Sequence, residues 1–113
     1  MLEPFTIVED DLLPELIAYL RNNDGSPMDL NNTNVKFYMS TPDLKDMRID
    51  GATVQILDPD NGKVQYSWVA ANTEVPGTFN AQFKVITSTV QGDKAMTVPT
   101  EEPLQIVIVP RQA

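Results

Sequence analysis

A chain of 113 residues is expected to form one domain, spanning 1–113, that buries roughly two-thirds of its unfolded surface in a single core. Sixteen acidic against eight basic residues leave a net charge of −8, which repels the polyanionic backbone of nucleic acids and anionic membrane surfaces alike. With no cysteine and no histidine there is no disulfide or thiolate zinc site, and the commonest general base and metal ligand is missing.

The N-terminal MLEPFTIVEDD has no basic residue and no long apolar run, so it does not read as a signal peptide. The apolar IVIV near the C-terminus is too short to span a bilayer. A soluble product made in the cytoplasm is expected. Pro4 to Val8 reads as a short extended segment, followed by the acidic Glu9-Asp10-Asp11. Leu12 to Leu20 is open to two readings. Asp11 could cap a helix with Pro14 in its first turn and Glu15 at the positive end of its dipole. Yet Leu16, Ala18 and Leu20 alternate with Ile17 and Tyr19, and the run ends in the turn Asn22-Asn23-Asp24-Gly25. The alternation predicts a strand.

Val35, Phe37 and Met39 alternate with Lys36, Tyr38 and Ser40, a second strand. Thr41 to Asp50 reads as a polar loop with room for a short strand at Met47 to Ile49. Ala52 to Leu57 reads as one strand with Val54 and Ile56 facing inward, entering a turn at Asp58-Pro59-Asp60-Asn61-Gly62. Beyond that turn, Val64, Tyr66 and Trp68 alternate with Lys63, Gln65 and Ser67. After a Pro76-Gly77 corner, Phe79, Ala81, Phe83 and Val85 alternate with Thr78, Asn80, Gln82 and Lys84. Two such amphipathic strands need a second layer to cover them. Thr87 to Asp93 is predicted to be a turn region, Ala95 to Val98 a short strand stopped by Pro99, and Thr100 to Pro103 a polar spacer. Leu104 to Val109 closes the sheet.

Seven or eight short strands with turn signals about every ten residues predict an all-β, immunoglobulin-like antiparallel sandwich. Prolines at strand ends agree with edges blocked against aggregation.

Three groups of residues invite a functional reading, each beside a structural one. Asp58 to Gly62 and Asn22 to Gly25 resemble the first half of a calcium loop, but Lys63 to Ser67 hold no acid to close it. Both are expected to be turns. Glu9, Asp10 and Asp11, or Glu101 and Glu102, are adjacent in sequence and cannot face each other across a cleft as paired catalytic carboxylates must. No nucleophile elbow or phosphate-binding glycine loop is present. Trp68, Tyr66 and Phe79 could line a sugar-binding face, although their phase places them in the core. No catalytic, cofactor-binding or metal-ligating residue is therefore expected, no cofactor is implied, and the binding residues are left open. At Pro76-Gly77-Thr78-Phe79, where immunoglobulin-type domains carry a tyrosine corner, phenylalanine lacks the hydroxyl, so packing and the Pro-Gly geometry must hold the corner.

The order of these features resembles the small immunoglobulin-like domains of tailed-bacteriophage virions, in particular the N-terminal domain of baseplate upper proteins. The resemblance runs from about Glu9 to Pro110. It rests on Asp24-Gly25-x-Pro27 with Leu30, Gly51-Ala52-x-Val54, Gly62-x-Val64-x-Tyr66-x-Trp68, Pro76-Gly77-Thr78-Phe79 and Val98-Pro99. It implies a non-enzymatic virion component of tail, baseplate or head that docks on other virion proteins, self-association being one option. The acidic charge leaves no nucleic-acid or membrane partner expected, and the resemblance implies residence in the virion after synthesis in the host cytoplasm. The alternative is a carbohydrate- or host-surface-binding adhesion module.

Overall fold

The computed structural model describes residues 4–22, 24–43, 45–98 and 104–112. Nine strands occur among them: β1 (Phe5–Val8), β2 (Leu16–Tyr19), β3 (Thr33–Ser40), β4 (Met47–Thr53), β5 (Gln55–Asp58), β6 (Lys63–Tyr66), β7 (Gly77–Thr89), β8 (Gly92–Val98) and β9 (Leu104–Val109). A larger sheet runs β1-β9-β7-β3-β4, with β8 also paired to β7, and a smaller sheet runs β2-β6-β5. The two sheets form an all-β sandwich. All pairings are antiparallel except β1 with β9, which run parallel from Phe5↔Ile106 to Val8↔Val109. The strictly antiparallel expectation is corrected there: β1 reaches β9 from the far side of the chain without a hairpin.

The alternation read from the sequence becomes the buried interface. Phe37 lies opposite Phe83, Val35 opposite Val85 and Met39 opposite Ala81 on the inner face of the larger sheet. Ile106 and Ile108 of β9 extend that face, and Leu16, Val64 and Tyr66 of the smaller sheet cover it. At the centre the Phe37 ring lies 4.6 Å from Tyr66, 5.1 Å from Phe83 and 6.1 Å from Trp68. Burying aromatics of this size supplies a large share of a small domain's hydrophobic stabilisation.

Four boundaries differ from the sequence reading. The strand predicted over Leu12 to Leu20 is confined to Leu16–Tyr19. Within the loop predicted from Thr41 to Asp50, the short strand allowed at Met47 to Ile49 is present and longer than expected, β4 running from Met47 to Thr53. The single strand predicted over Ala52 to Leu57 is divided at Val54, where the chain leaves the larger sheet for the smaller. Val54 is buried at this crossing, and its N–H donates to the Val35 carbonyl at 3.2 Å. An uninterrupted run of strand-forming residues carries no mark of such a change of sheet. The division also explains why nine strands are found against the seven or eight expected.

The fourth difference is the largest. The turn predicted over Thr87 to Asp93 is mostly strand: β7 continues to Thr89 and β8 begins at Gly92, leaving Val90 and Gln91 as a two-residue turn. The resulting ribbon runs past Thr33, the last β3 residue paired to β7, and contributes to extents of 52 × 27 × 25 Å. Trp68 lies two residues beyond the end of β6 in an extended segment, still buried and in phase. Pro99 and the spacer Thr100 to Pro103, with Glu101 and Glu102, lie outside the described residues, as do Asn23 and Leu44.

Candidate docking surfaces

The predicted turn sites are tied up by their own residues. Pro59–Asn61 forms a single 3-10 turn that ends at Gly62, where φ is +69°. A Cβ at Gly62 would overlap the Leu20 carbonyl oxygen, so the position needs glycine for space as well as for conformation. Asn31 Nδ2 donates to Asp29 Oδ1 at 2.7 Å and to Asp60 Oδ1 at 2.9 Å, and Asn61 donates to Asp58. In the other turn, Asp24 accepts from the hydroxyl and the backbone N–H of Ser26. These bonds satisfy the carboxylates locally and hold Asp24 and Asp29 below the ordinary aspartate range: for Asp24 the Ser26 hydroxyl is the main cause, for Asp29 the Asn31 backbone N–H. Among the described residues no three acidic side chains gather as a metal-ligand set.

Glu9, Asp10 and Asp11 do not converge on a common point either. Glu9 accepts from the Arg111 backbone N–H, Asp10 pairs with the Arg111 guanidinium at 3.2 Å, and the Asp11 carbonyl accepts from Thr73. Glu9 and Asp10 fasten the start of the chain to Arg111 near its end, and Asp11 is tied to the loop before β7.

Trp68, Tyr66 and Phe79 are buried, so they line no exposed sugar face. Tyr66 donates its hydroxyl to Asn72 Oδ1 at 2.7 Å, and that oxygen also accepts from the Val69 N–H at 3.0 Å. Trp68 Nε1 donates to the Pro14 carbonyl at 3.2 Å. The polar anchorage missing from the Phe79 corner is thus supplied by Tyr66, which ties β6 to the loop before β7. Phe79 instead lays its ring over Gly77, consistent with a corner held by packing.

Two outward surfaces carry exposed apolar side chains. The first is the β7–β8 arm. Every residue from Thr87 to Thr97 is exposed, and Val90 at its tip is fully open to solvent. A two-stranded ribbon with neither face packed is marginal by itself. It is held here because β7 continues into the core through Val85, Phe83 and Ala81. Lys94 and Asp93 flank the turn, and Ser88 donates to Asp93 at 3.1 Å. The second surface is the outer side of the smaller sheet, where Ile17 and Tyr19 of β2 and Leu57 of β5 are exposed and Lys63 Nζ lies 5.7 Å from the Tyr19 ring centroid. The sequence reading missed both. The arm has no apolar alternation because neither face is buried. Ile17 and Tyr19 read as ordinary strand residues until the sheet shows which way they point.

A family model described as the BppU N-terminal domain matches residues 7–100. The chain belongs to the family of phage baseplate upper protein N-terminal domains. No curated protein matches the chain. The matched span runs from within β1 through β8 and includes both outward surfaces, the whole β7–β8 arm among them, while β9 lies beyond it. Membership implies a structural role in the phage virion. In this chain Tyr66 and Trp68 are buried and hydrogen-bonded, Gly62 closes the 3-10 turn and Gly77 opens β7.

Proposed function

We propose that this baseplate upper protein N-terminal domain is a non-enzymatic docking unit, seated on neighbouring virion proteins through the β7–β8 arm. The observation that carries this reading is the arm itself: Thr87 to Thr97 are all exposed, and beyond Thr87 the ribbon Ser88–Asp93 is paired only within itself and covers no core of this chain. Keeping a ribbon ordered in solvent has an entropic cost that internal packing does not offset, and burial against a neighbour would offset it. Two-stranded arms present backbone groups on their edges and side chains on both faces, so they can be clasped or can extend a neighbouring sheet. The net charge of −8 favours a partner with basic patches and steers the encounter.

The cysteine-free sequence gives a direct test. A Val90→Cys variant carries a single thiol, which can be labelled with a photoreactive benzophenone and allowed to assemble into particles lacking the native protein. Irradiation is expected to join the arm to another virion protein. A label at the arm that yields only uncrosslinked chain from fully assembled particles, while the same label at Tyr19→Cys crosslinks, would move the docking surface to the smaller sheet and overturn the assignment to the arm.

A further inference from the structure

The outer face of the larger sheet holds a concavity of about 440 Å³. Its polar lining follows from register: Tyr38 stands opposite Gln82, Ser40 opposite Asn80, and Lys84 opposite Thr97 of β8. These six side chains converge from three strands, and among the described residues none of them makes a side-chain hydrogen bond, whereas Lys36 on the same face is turned aside to Thr53. Pro42 and Met47 add an apolar rim. Tyr38 is held from behind: a Cβ at Gly51 would lie 3.3–3.6 Å from its hydroxyl and ring, so the bare Gly51 backbone forms the seat of the phenol.

We propose that this concavity binds a single saccharide unit, preferentially a neutral one. Its volume lies in the range of small-ligand sites and is bounded on a sheet, unlike the broad flat patches that bury another protein. Two carboxamides, each both donor and acceptor, with three hydroxyls and one ammonium, match the mixed donor and acceptor pattern of ring hydroxyls. The Tyr38 ring and the Met47 and Pro42 rim suit the C–H face of a pyranose. The described lining holds no carboxylate in a chain of net charge −8. That field opposes a free anion at long range but leaves a neutral ligand unaffected. The aromatics buried in the core take no part, and the site lies at the base of the arm, sharing only Thr97 with it.

The test is a titration of the isotopically labelled protein with methyl glucoside, methyl galactoside, N-acetylglucosamine and glucuronic acid, followed by amide chemical shifts. At least one neutral sugar is expected to move the signals of Tyr38, Asn80, Gln82 and Thr97 in a saturable way, with a Kd of about 1 mM. Gln82→Ala and Asn80→Ala, whose dispersed spectra report that they remain folded, are each expected to weaken that binding roughly tenfold. The proposal is overturned if none of the four sugars shifts these signals, or if the two variants bind as the native chain does. Binding of glucuronic acid alone, lost in Lys84→Gln, would overturn the preference for a neutral ligand.

Discussion

At the scale of single residues, the core aromatics and the turn glycines set the stability of the domain. Trp68 is buried, touches Phe5, Phe37 and Tyr66, and donates to the Pro14 carbonyl. Trp68→Ala is expected to lower unfolding free energy by about 3–5 kcal/mol, read from urea denaturation. Tyr66→Phe removes one buried hydrogen bond but leaves Asn72 Oδ1 accepting from Val69, so a loss of about 1 kcal/mol is expected. Burial raises the Tyr66 phenol above its ordinary pKa. The native state therefore prefers the protonated phenol. Its contribution is fully present below about pH 10 and is lost as pH rises beyond, through the folded value. The alkaline fall in the urea midpoint should accordingly be shallower in Tyr66→Phe than in the native chain. At the acid end the sign reverses. Asp24, Asp29 and Asp43 are all held below the ordinary value, Asp43 chiefly by the Thr41 hydroxyl and then the Lys45 backbone N–H. Their contribution is present above about pH 4 and is lost as pH falls through the depressed folded values. Much at this scale was legible in advance: the phase of Val64, Tyr66 and Trp68 is enough to place the tryptophan in the core. The seat that Gly51 provides for Tyr38 was not legible, because it depends on which strands become neighbours.

At the scale of elements, β7 organises the larger sheet. It pairs with β3 along one side and with β9 and then β8 along the other, so its thirteen residues hold together strands from the middle and the end of the chain. Its first half was visible in the sequence because one face is buried and alternation survives. Its second half was read as a turn because Ser88, Gly92 and Asp93 are residues that turns favour and no apolar alternation contradicts them. The same physics gives a dynamic prediction. Amides of the arm from Ser88 to Lys94 should exchange with solvent hydrogen far faster than those from Phe79 to Val85, since opening the arm exposes no core. Equal protection in the two segments would mean that the ribbon is already covered in solution, most simply by a second copy. The remaining edges are short or interrupted: β1, β2 and β5 are four residues each, and β3–β4 pairing breaks register twice. Such edges resist unintended sheet growth.

At the scale of the whole molecule, the sandwich is a packed core with one arm and two outer faces left exposed. Family membership accounts for the setting, and the fold shows which parts are spare. Composition had already removed the commonest acid–base and metal chemistry, and alternation had supplied the all-β class. What could not be read was the change of sheet at Val54 and the length of the arm, both of which depend on contacts distant in sequence. The central claim is that the arm seats this domain on the virion, and co-sedimentation with phage particles lacking the protein tests it most directly. The native chain is expected to bind saturably, while a variant in which Ser88–Asp93 is replaced by a tight Asn-Gly turn should stay folded and fail to bind. Unchanged saturable binding by the shortened variant would contradict the account.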